Sequence, residues 1–283
     1  MSTLETKIDF AVIVRVKNAN PNGDPLNGNR PRTDYANLGE ITDVCIKRKI
    51  RDRLQEDGHS IFVQSDDRKK DNAPSLRARA ETALGSKLGS GETKDLACKE
   101  WFDVRAFGQL FALPKKKAKS KAGEGDDAGD TGVSIGIRGP VTVQSAFSVV
   151  PVEVTSVQIT KSVSGEGDGT KRGSDTMGMK HRVDQGVYVS FGSMNPQLAE
   201  RTGFSDSDAA AIKQVLPRVF ENDESSARPA GSMEVLKLMW WKHNCKAGQY
   251  SSAKVHRTLT VNPDGSFQLA KLDGLDPEII EGF

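Results

Sequence analysis

Apolar and polar residues alternate along several segments of the chain, and this period of two predicts β-strands. The clearest case is residues 10–16, where Phe10 and three valines share one face. Because these residues are strong strand formers, we expect a central strand there. Pro140 interrupts another such segment, which places an edge or a bulge at that point. Further strands are predicted at 103–111, 133–143, 152–163, 187–191, 233–241 and 255–261.

A helix is predicted from residue 43, because Ile46, Ile50 and Leu54 recur every fourth residue and form one apolar stripe. Thr42 or Asp43 can cap its first turn. Five cations flank the stripe, and they form either a solvated helix face or a surface that binds a polyanion. These cations are Lys47, Arg48, Lys49, Arg51 and Arg53.

A second helix is predicted where Ser205 and Asp208 fit a capping box and apolar residues continue to Val219. Pro217 should kink or shorten it. The resulting order is strand, helix, several strands, helix and strand. This order predicts an α+β fold with a ferredoxin-like core.

Residues 18–32, directly after the first predicted strand, cannot form a core element. They include five asparagines, three prolines and two glycines, which favour left-handed or fixed backbone and hydrogen bonds to the local main chain. We therefore expect a shaped polar loop. With Arg30 and Arg32 this loop offers backbone N–H groups, carboxamides and guanidinium groups, which suit a phosphate ligand.

Two further segments combine cations with large apolar side chains. In the predicted strand at 103–111, Arg105 and Phe107 share a face, where they either clamp bases or are a surface arginine beside a core phenylalanine. The strands at 152–163 and 187–191, with the glycine-rich residues between them, predict a protruding hairpin. The residues at its tip either wedge between bases or tuck back onto the sheet. They are Met177, Met179, Lys180, His181 and Arg182.

Composition narrows the class of protein. Of 283 residues, 36% are hydrophobic, and no apolar run approaches the ~20 residues of a membrane span. The first residues carry no secretory signal, so we expect a cytoplasmic protein without membrane contact, built as one large domain or two small ones. Cys45, Cys98 and Cys245 are isolated, which argues against disulfides and zinc. No metal or cofactor is predicted.

Charge is distributed unevenly along the chain. Residues 15–53 hold nine Lys/Arg and five Asp/Glu, whereas residues 264–283 hold five acids and one lysine. These ends are either ordinary solvated surface or complementary patches through which copies stack head to tail. Between them, residues 59–100 are polar and predict an inserted subdomain of short helices. The lysine-rich and glycine-rich residues 112–132 predict a disordered loop.

Catalytic chemistry is only weakly indicated. The four histidines are scattered without the spacing of metal ligands, and the sequence contains no P-loop. His181 beside Lys180, with Tyr188 nearby in the sequence, is the one grouping that suits metal-free RNA cleavage.

Five ordered motifs make the chain resemble the backbone subunit family of CRISPR Cascade complexes, most closely its type I-C branch. The first is the loop, with NANPNGDP at 18–25 and NRPRTD at 29–34. The resemblance extends from the first strand to about residue 242. The other motifs are DVRAFG at 103–108, RGPV at 138–141, MGMKHR at 177–182 and DESSAR at 223–228.

This resemblance implies a modified RRM-like (ferredoxin-like) palm with an inserted finger and a protruding β-hairpin thumb. It also implies a subunit without catalytic activity, several copies of which polymerise along one CRISPR RNA (crRNA). The thumb would displace bases at intervals so that the guide pairs with target DNA in short segments. Further copies, the target DNA strand and other Cascade subunits are the implied partners. The implied ranges are 1–58, 101–145 and 186–260 for the palm, 59–100 for the finger, 152–185 for the thumb and 261–283 for an acidic segment.

The candidate RNA-binding residues combine the residue-level reasoning with this resemblance. They are Asn20, Asn22, Arg30, Arg32, Thr42, Lys47, Lys49, Arg51, Arg105, Phe107, Arg138, Met177, Met179, Lys180, His181 and Arg182. Two alternatives remain open. One is a metal-free crRNA-processing endoribonuclease that uses His181, and the other is a monomeric RRM-type RNA-binding protein. The aromatic signature of RRM domains is absent from the sequence, which argues against the second.

Overall fold

The structure is a computed structural model that describes residues 2–113, 133–161 and 177–283. The strands are β1 (Ile8–Ala19), β2 (Gly23–Asp24), β3 (Arg30–Pro31), β4 (Leu38–Ile41), β5 (Gly108–Leu113), β6 (Val133–Arg138), β7 (Val141–Val143), β8 (Ala146–Pro151), β9 (Val154–Thr160), β10 (Met177–Met194), β11 (Met233–Lys242), β12 (Leu259–Val261), β13 (Phe267–Leu269) and β14 (Glu278–Glu281). The helices are α1 (Asp43–Glu56), α2 (Leu76–Leu84), α3 (Thr93–Glu100), α4 (Phe102–Phe107), α5 (Pro196–Thr202), α6 (Asp206–Val215) and α7 (Ser252–His256).

An antiparallel sheet forms the centre of the molecule. Within the described residues it has eight strands, ordered β14–β11–β1–β10–β8–β4, with β7 and β9 pairing other parts of β10. The predicted strand at 10–16 is the middle of β1, which pairs with β10 on one side and β11 on the other. The α+β prediction and the central position of this strand are confirmed.

Each face of the sheet has its own core. On one face, Phe10 and Val12 of β1 join the buried stripe of α1 and the inner side of α6. On the other face, Ala11 and Ile13 pack beneath α7 and the β12–β13 hairpin. A third core lies among α2, α3, α4 and the β5–β6 pair, around Phe62. Alternate residues of β1 therefore belong to two different hydrophobic cores, one on each face of the sheet.

Two predicted strands are wrong in part. Residues 103–107 belong to helix α4. Residues 102, 104 and 106 are buried, which resembles the alternation of a strand. Asp103, which lies between them, is buried as well. Its carboxylate accepts hydrogen bonds from the backbone N–H groups of Phe62 and Val63 at 2.7 and 3.1 Å, so protein surrounds this short helix. Residues 255 and 256 likewise belong to α7, because the Ser251 side chain caps that helix by accepting from the N–H of Lys254.

The predicted N-terminal caps of two helices are confirmed. Thr42 caps α1, and Ser205 and Asp208 form the expected capping box of α6. Helix α6 stops at Val215, and Pro217 lies in a short 3-10 turn that follows it. The predicted shortening by proline is confirmed.

Two stretches of the sequence lie outside the described residues. One is 114–132, which covers most of the predicted disordered loop at 112–132; residues 112 and 113 end β5. The other is 162–176, which covers the turn of the predicted hairpin.

Candidate nucleic-acid interface

The asparagines of the loop at 18–32 mainly hold its shape. Asn20 is buried; its side-chain N–H donates to the carbonyl of Asn29 at 2.7 Å and its backbone N–H to that of Ala227 at 2.8 Å. Asn22 accepts hydrogen bonds from the backbone N–H and the hydroxyl of Thr42, at 2.9 and 2.8 Å. The amide nitrogen of Asn20 and the amide oxygen of Asn22 are thus engaged inside the protein, and their predicted contact with RNA stays a prediction. The hydroxyl of Thr42 is likewise bonded inside the protein, to the side chain of Asn22.

The arginines of this loop remain at its surface. Arg32 lies 3.3 Å from the carboxylate of Asp24 and keeps about a third of its side chain exposed. Arg30 reaches across to the β9–β10 pair, where its guanidinium donates to the Ser156 hydroxyl at 3.1 Å. That hydroxyl is 2.8 Å from Nδ1 of His181. The loop and the hairpin are thereby joined through three side chains.

The cations of α1 are paired with carboxylates rather than free. Lys49 is only 4% exposed and forms an ion pair with Asp223; burial lowers its pKa, and the Asp223 charge opposes that shift. Lys49 is therefore an internal residue, and its burial argues against the predicted contact with RNA. The other pairs are Lys47 with Asp43, Arg48 with Asp52 and Asp67, Arg51 with Asp103, and Arg53 with Glu56.

Arg51 is also held by contacts within the protein. Its Nε donates to Asp103 at 2.9 Å, its side chain is 13% exposed, and its guanidinium lies over the Phe107 ring at 5.1 Å. An arginine held by a buried carboxylate and an aromatic ring has little freedom to bind phosphate. On this helix, Lys47 and Arg48 keep more of their side chains at the surface.

Arg105 and Phe107 do not form a clamp on a sheet face. Arg105 makes two hydrogen bonds to the Asp208 carboxylate, at 2.7 and 3.1 Å, and its guanidinium lies over Phe102 at 4.7 Å. Phe107 packs against the core next to α1. Both residues tie α4 to its neighbours, and their predicted contact with RNA stays a prediction.

Arg138 ends β6 and is exposed. The next residue, Gly139, lies so close to α4 that a Cβ atom there would be 2.3 Å from the carbonyl oxygen of Ala106. The strand pattern breaks here, as Pro140 predicted: β6 ends at Arg138 and pairs with β5, and β7 joins the main sheet from Val141.

The predicted hairpin tip at Met177 to Arg182 is part of a strand. β10 runs without interruption from Met177 to Met194, and residues 177–183 pair with β9. Because side chains alternate along a strand, Met177, Met179 and His181 share one face. Lys180 and Arg182 share the other. Met177 and Met179 are 64% and 55% exposed, so they do not tuck back onto the sheet.

Sequence comparison decides the family. Residues 6–274 match the family model described as CRISPR-associated protein Cas7. The chain belongs to the Cas7 family. A curated relative, the CRISPR-associated protein Cas7 of Haloferax volcanii, is 26% identical over 289 residues, which cover 99% of this chain and 82% of the relative. The family expected from the five motifs is thus confirmed, and the type I-C branch stays a prediction.

Among solved structures, the chain is similar to one from a "CRISPR RNA-guided surveillance complex, pre-nicking", with a TM-score of 0.48 and 15% identity over 83% of this chain and 78% of that chain. It is also similar to a chain from a "CRISPR RNA-guided surveillance complex", with a TM-score of 0.45 and 17% identity over 95% of this chain and 77% of that chain.

In this Cas7-family chain the residues proposed for RNA cleavage do not come together. Lys180 and His181 point to opposite faces of β10. Tyr188 is fully buried, and burial raises the pKa of its hydroxyl. The grouping of His181, Lys180 and Tyr188 as general acid and base is therefore wrong.

The described residues form neither a metal-ion cluster nor a helix that could span a membrane. No cluster of three or more His, Cys, Asp or Glu side chains suited to a metal ion occurs in residues 2–113, 133–161 and 177–283. Across those same ranges, every helix is too short or too polar to cross a membrane.

Sequence reasoning missed the residues that organise this surface. Ser156 bridges Arg30 and His181, and Asp103 and Asp223 bind the cations of α1. All three are distant in sequence from their partners, so no local pattern indicated them.

Proposed function

We propose that this Cas7-family chain is a crRNA-binding backbone subunit of a Cascade complex, of type I-C. The link from Arg30 through Ser156 to His181 carries the proposal. It joins the polar loop to the methionine-bearing face of the hairpin, so that cations and exposed apolar side chains lie on one continuous surface. Single-stranded RNA needs this combination of phosphate ligands and apolar contacts to bases.

The surface assigns different tasks to its side chains. Arg30 and Arg32 hold guide phosphates, and the path is extended by the partly exposed Lys47 and the exposed Arg138. Met179 and its neighbour Met177 press against bases and displace one at intervals. Between these interruptions the guide pairs with target DNA, so pairing reads the sequence while the protein holds the backbone.

The same proposal assigns the parts of the fold. The succession β1, α1, β8, β10, α6 and β11 supports a ferredoxin-like palm. The separate core around α2 and α3 supports a finger, and the exposed β9–β10 pair supports a thumb. Several copies lie along one crRNA beside other Cascade subunits, and the chain performs no catalysis.

RNA binding measured against salt tests the proposal. The protein should bind single-stranded RNA without strong sequence preference, with log Kd depending linearly on log salt. Arg30→Ala should lower that slope by about 0.7, the value of one phosphate contact to a single strand. Arg77→Ala is the matched control, because Arg77 is an exposed cation of α2 that pairs with Glu81 away from the loop. If Arg30→Ala and wild type had equal slopes, Arg30 would make no phosphate contact and the loop would not belong to the RNA interface.

A cleavage assay separates the scaffold from the endoribonuclease. Repeat RNA incubated with the protein should stay intact, because His181 is hydrogen-bonded to Ser156 and, among the described residues, has no catalytic partner on its face. Site-specific cleavage that His181→Ala abolishes would overturn the scaffold function.

A further inference from the structure

The turn between β3 and β4 presents an aromatic side chain entirely to solvent. Tyr35 is fully exposed, and it lies three residues after Arg32, the last cation of the polar loop. Most aromatic rings of the described residues pack into one of the three cores, but this ring belongs to none of them. The RNA path proposed above does not use it either.

Hydrogen bonds hold this turn in one shape. The Asp34 carboxylate accepts from the backbone N–H groups of Ala36 and Leu38, both at 2.9 Å. The backbone of Asp34 also donates to the Leu38 carbonyl at 3.0 Å and accepts from the Asn37 N–H at 3.1 Å. Asn37 adopts a left-handed backbone with a φ of 60°, which asparagine tolerates. Tyr35 is therefore carried on a preorganised turn, and a contact to its ring has to fix only two side-chain torsions.

The turn lies between the two parts of the proposed RNA surface. On one side, the Cα atoms of Arg32 and Tyr35 are at most about 11 Å apart, because three residues of chain join them. On the other side, the Asn37 carbonyl accepts from the N–H of Val152 at 3.0 Å. Val152 lies four residues before Ser156, the hairpin residue to which the polar loop is hydrogen-bonded. An RNA strand that contacts both the loop and the hairpin therefore passes close to this ring.

We propose that Tyr35 is a base-stacking residue of the RNA interface. Its ring stacks on one base of the guide while Arg32, which keeps about a third of its side chain exposed, holds a phosphate nearby. Every base has an aromatic face, so such a contact accepts any sequence. The inference rests on the proposed function, because it adds a base contact to that RNA surface. It differs in kind from the methionine contacts, in which apolar side chains wedge between bases.

The charges beside Tyr35 favour RNA over a protein partner. The neighbouring carboxylate of Asp34 is directed into the turn by its two hydrogen bonds. The guanidinium groups of Arg30 and Arg32 lie at the surface of the polar loop. An aromatic ring beside surface cations is the combination by which proteins bind single-stranded nucleic acid.

Fluorescence anisotropy on a short single-stranded RNA measures the contact. Tyr35→Ala should raise Kd about tenfold, within the range that alanine substitution gives for one stacked base. The slope of log Kd against log salt should stay unchanged, because the ring binds no phosphate. Tyr35→Phe keeps the ring and should bind within about twofold of wild type. Phe283→Ala is the matched control, since Phe283 is also exposed but follows β14, at the opposite edge of the main sheet from β4, and its Kd should equal that of wild type.

Abasic RNA of the same length separates stacking from positioning. Without bases there is nothing to stack, so Tyr35→Ala and wild type should bind abasic RNA equally. Thermal melts verify that each variant is folded. An unchanged Kd for folded Tyr35→Ala on ordinary RNA would assign the ring to a protein partner and overturn the proposal. A tenfold loss that persists on abasic RNA would overturn it too, because the residue would then act on the phosphate contacts. Failure of the wild-type protein to bind either RNA would instead refute the proposed function.

Discussion

The buried ion pair between Lys49 and Asp223 allows a sharp test of what the cations of α1 do. Asp223 also accepts a hydrogen bond from Nε of Arg228 at 2.8 Å, so one carboxylate serves two cations. Lys49 is 4% exposed and lies 5.5 Å from the Phe220 ring centre, whereas Arg228 is 24% exposed. Asp223→Asn leaves Lys49 buried without a counter-charge, while Arg228 can turn to solvent.

Removing one partner of a buried pair costs about 3–5 kcal/mol. The lower value fits here, because only one of the two cations is fully buried. At about 2–3 °C per kcal/mol for a chain of this size, Asp223→Asn should lower Tm by about 6–9 °C. Lys49→Met removes the buried charge, keeps the length of the side chain and leaves Asp223 paired with Arg228. It should cost less than about 1 kcal/mol.

Differential scanning calorimetry of both single variants and the double variant measures these effects. The double variant should melt close to Lys49→Met, because Asp223→Asn does little harm once the buried ammonium is gone. The difference between the single variants should persist at high salt, since buried charges are screened weakly. Equal losses for Asp223→Asn and Lys49→Met, or a loss below about 1 °C for Asp223→Asn, would refute the reasoning.

Two further predictions concern the fold. Burial lowers the pKa of His256 below its ordinary value of 6.5, so below pH 6.5 the unfolded chain binds more protons and stability falls as the pH drops. Melts between pH 7.5 and 5.5 should show this loss in wild type and a smaller one in His256→Gln. Gly139→Ala would place its Cβ 2.3 Å from the Ala106 carbonyl oxygen and should cost about 2–3 kcal/mol. Gly91→Ala is its control, because nothing lies within 4 Å there, and equal melting temperatures would contradict the clash.

Local patterns predicted the elements better than the partners of their side chains. Helix α1, its Thr42 cap and its stripe of Ile46, Ile50 and Leu54 all follow from short-range spacing. The ion pairs of its cations do not, because Arg51 and Lys49 meet carboxylates 52 and 174 residues away. The helix that is basic in the sequence is therefore largely neutralised in the fold by the carboxylates that pair with its cations.

The candidate site shows the same limit. Composition predicted a shaped loop at 18–32, but it could not show that Asn20 and Asn22 would be turned inward to hold that shape. The alternation at 103–111 indicated one strand, although residues 103–107 form helix α4, because a period of two cannot separate a half-buried strand from a short helix enclosed by protein. The predicted hairpin had 187–191 as its second strand, whereas β9 pairs with residues 177–183, so the methionines lie along β10 rather than at a tip.

The junction at Val183 has a mechanical consequence. This residue pairs with Val154 of β9 on one edge of β10 and with Ala19 of β1 on the other. Hydrogen bonding therefore passes from the hairpin to the sheet at this residue, where β10 is paired on both edges. Swinging the hairpin would require breaking ladder bonds, so twist imposed at one end of β10 is transmitted along roughly 60 Å of continuous strand. The hairpin is therefore a stiff extension of the sheet, and the distance to which it protrudes is fixed by the length of its strands.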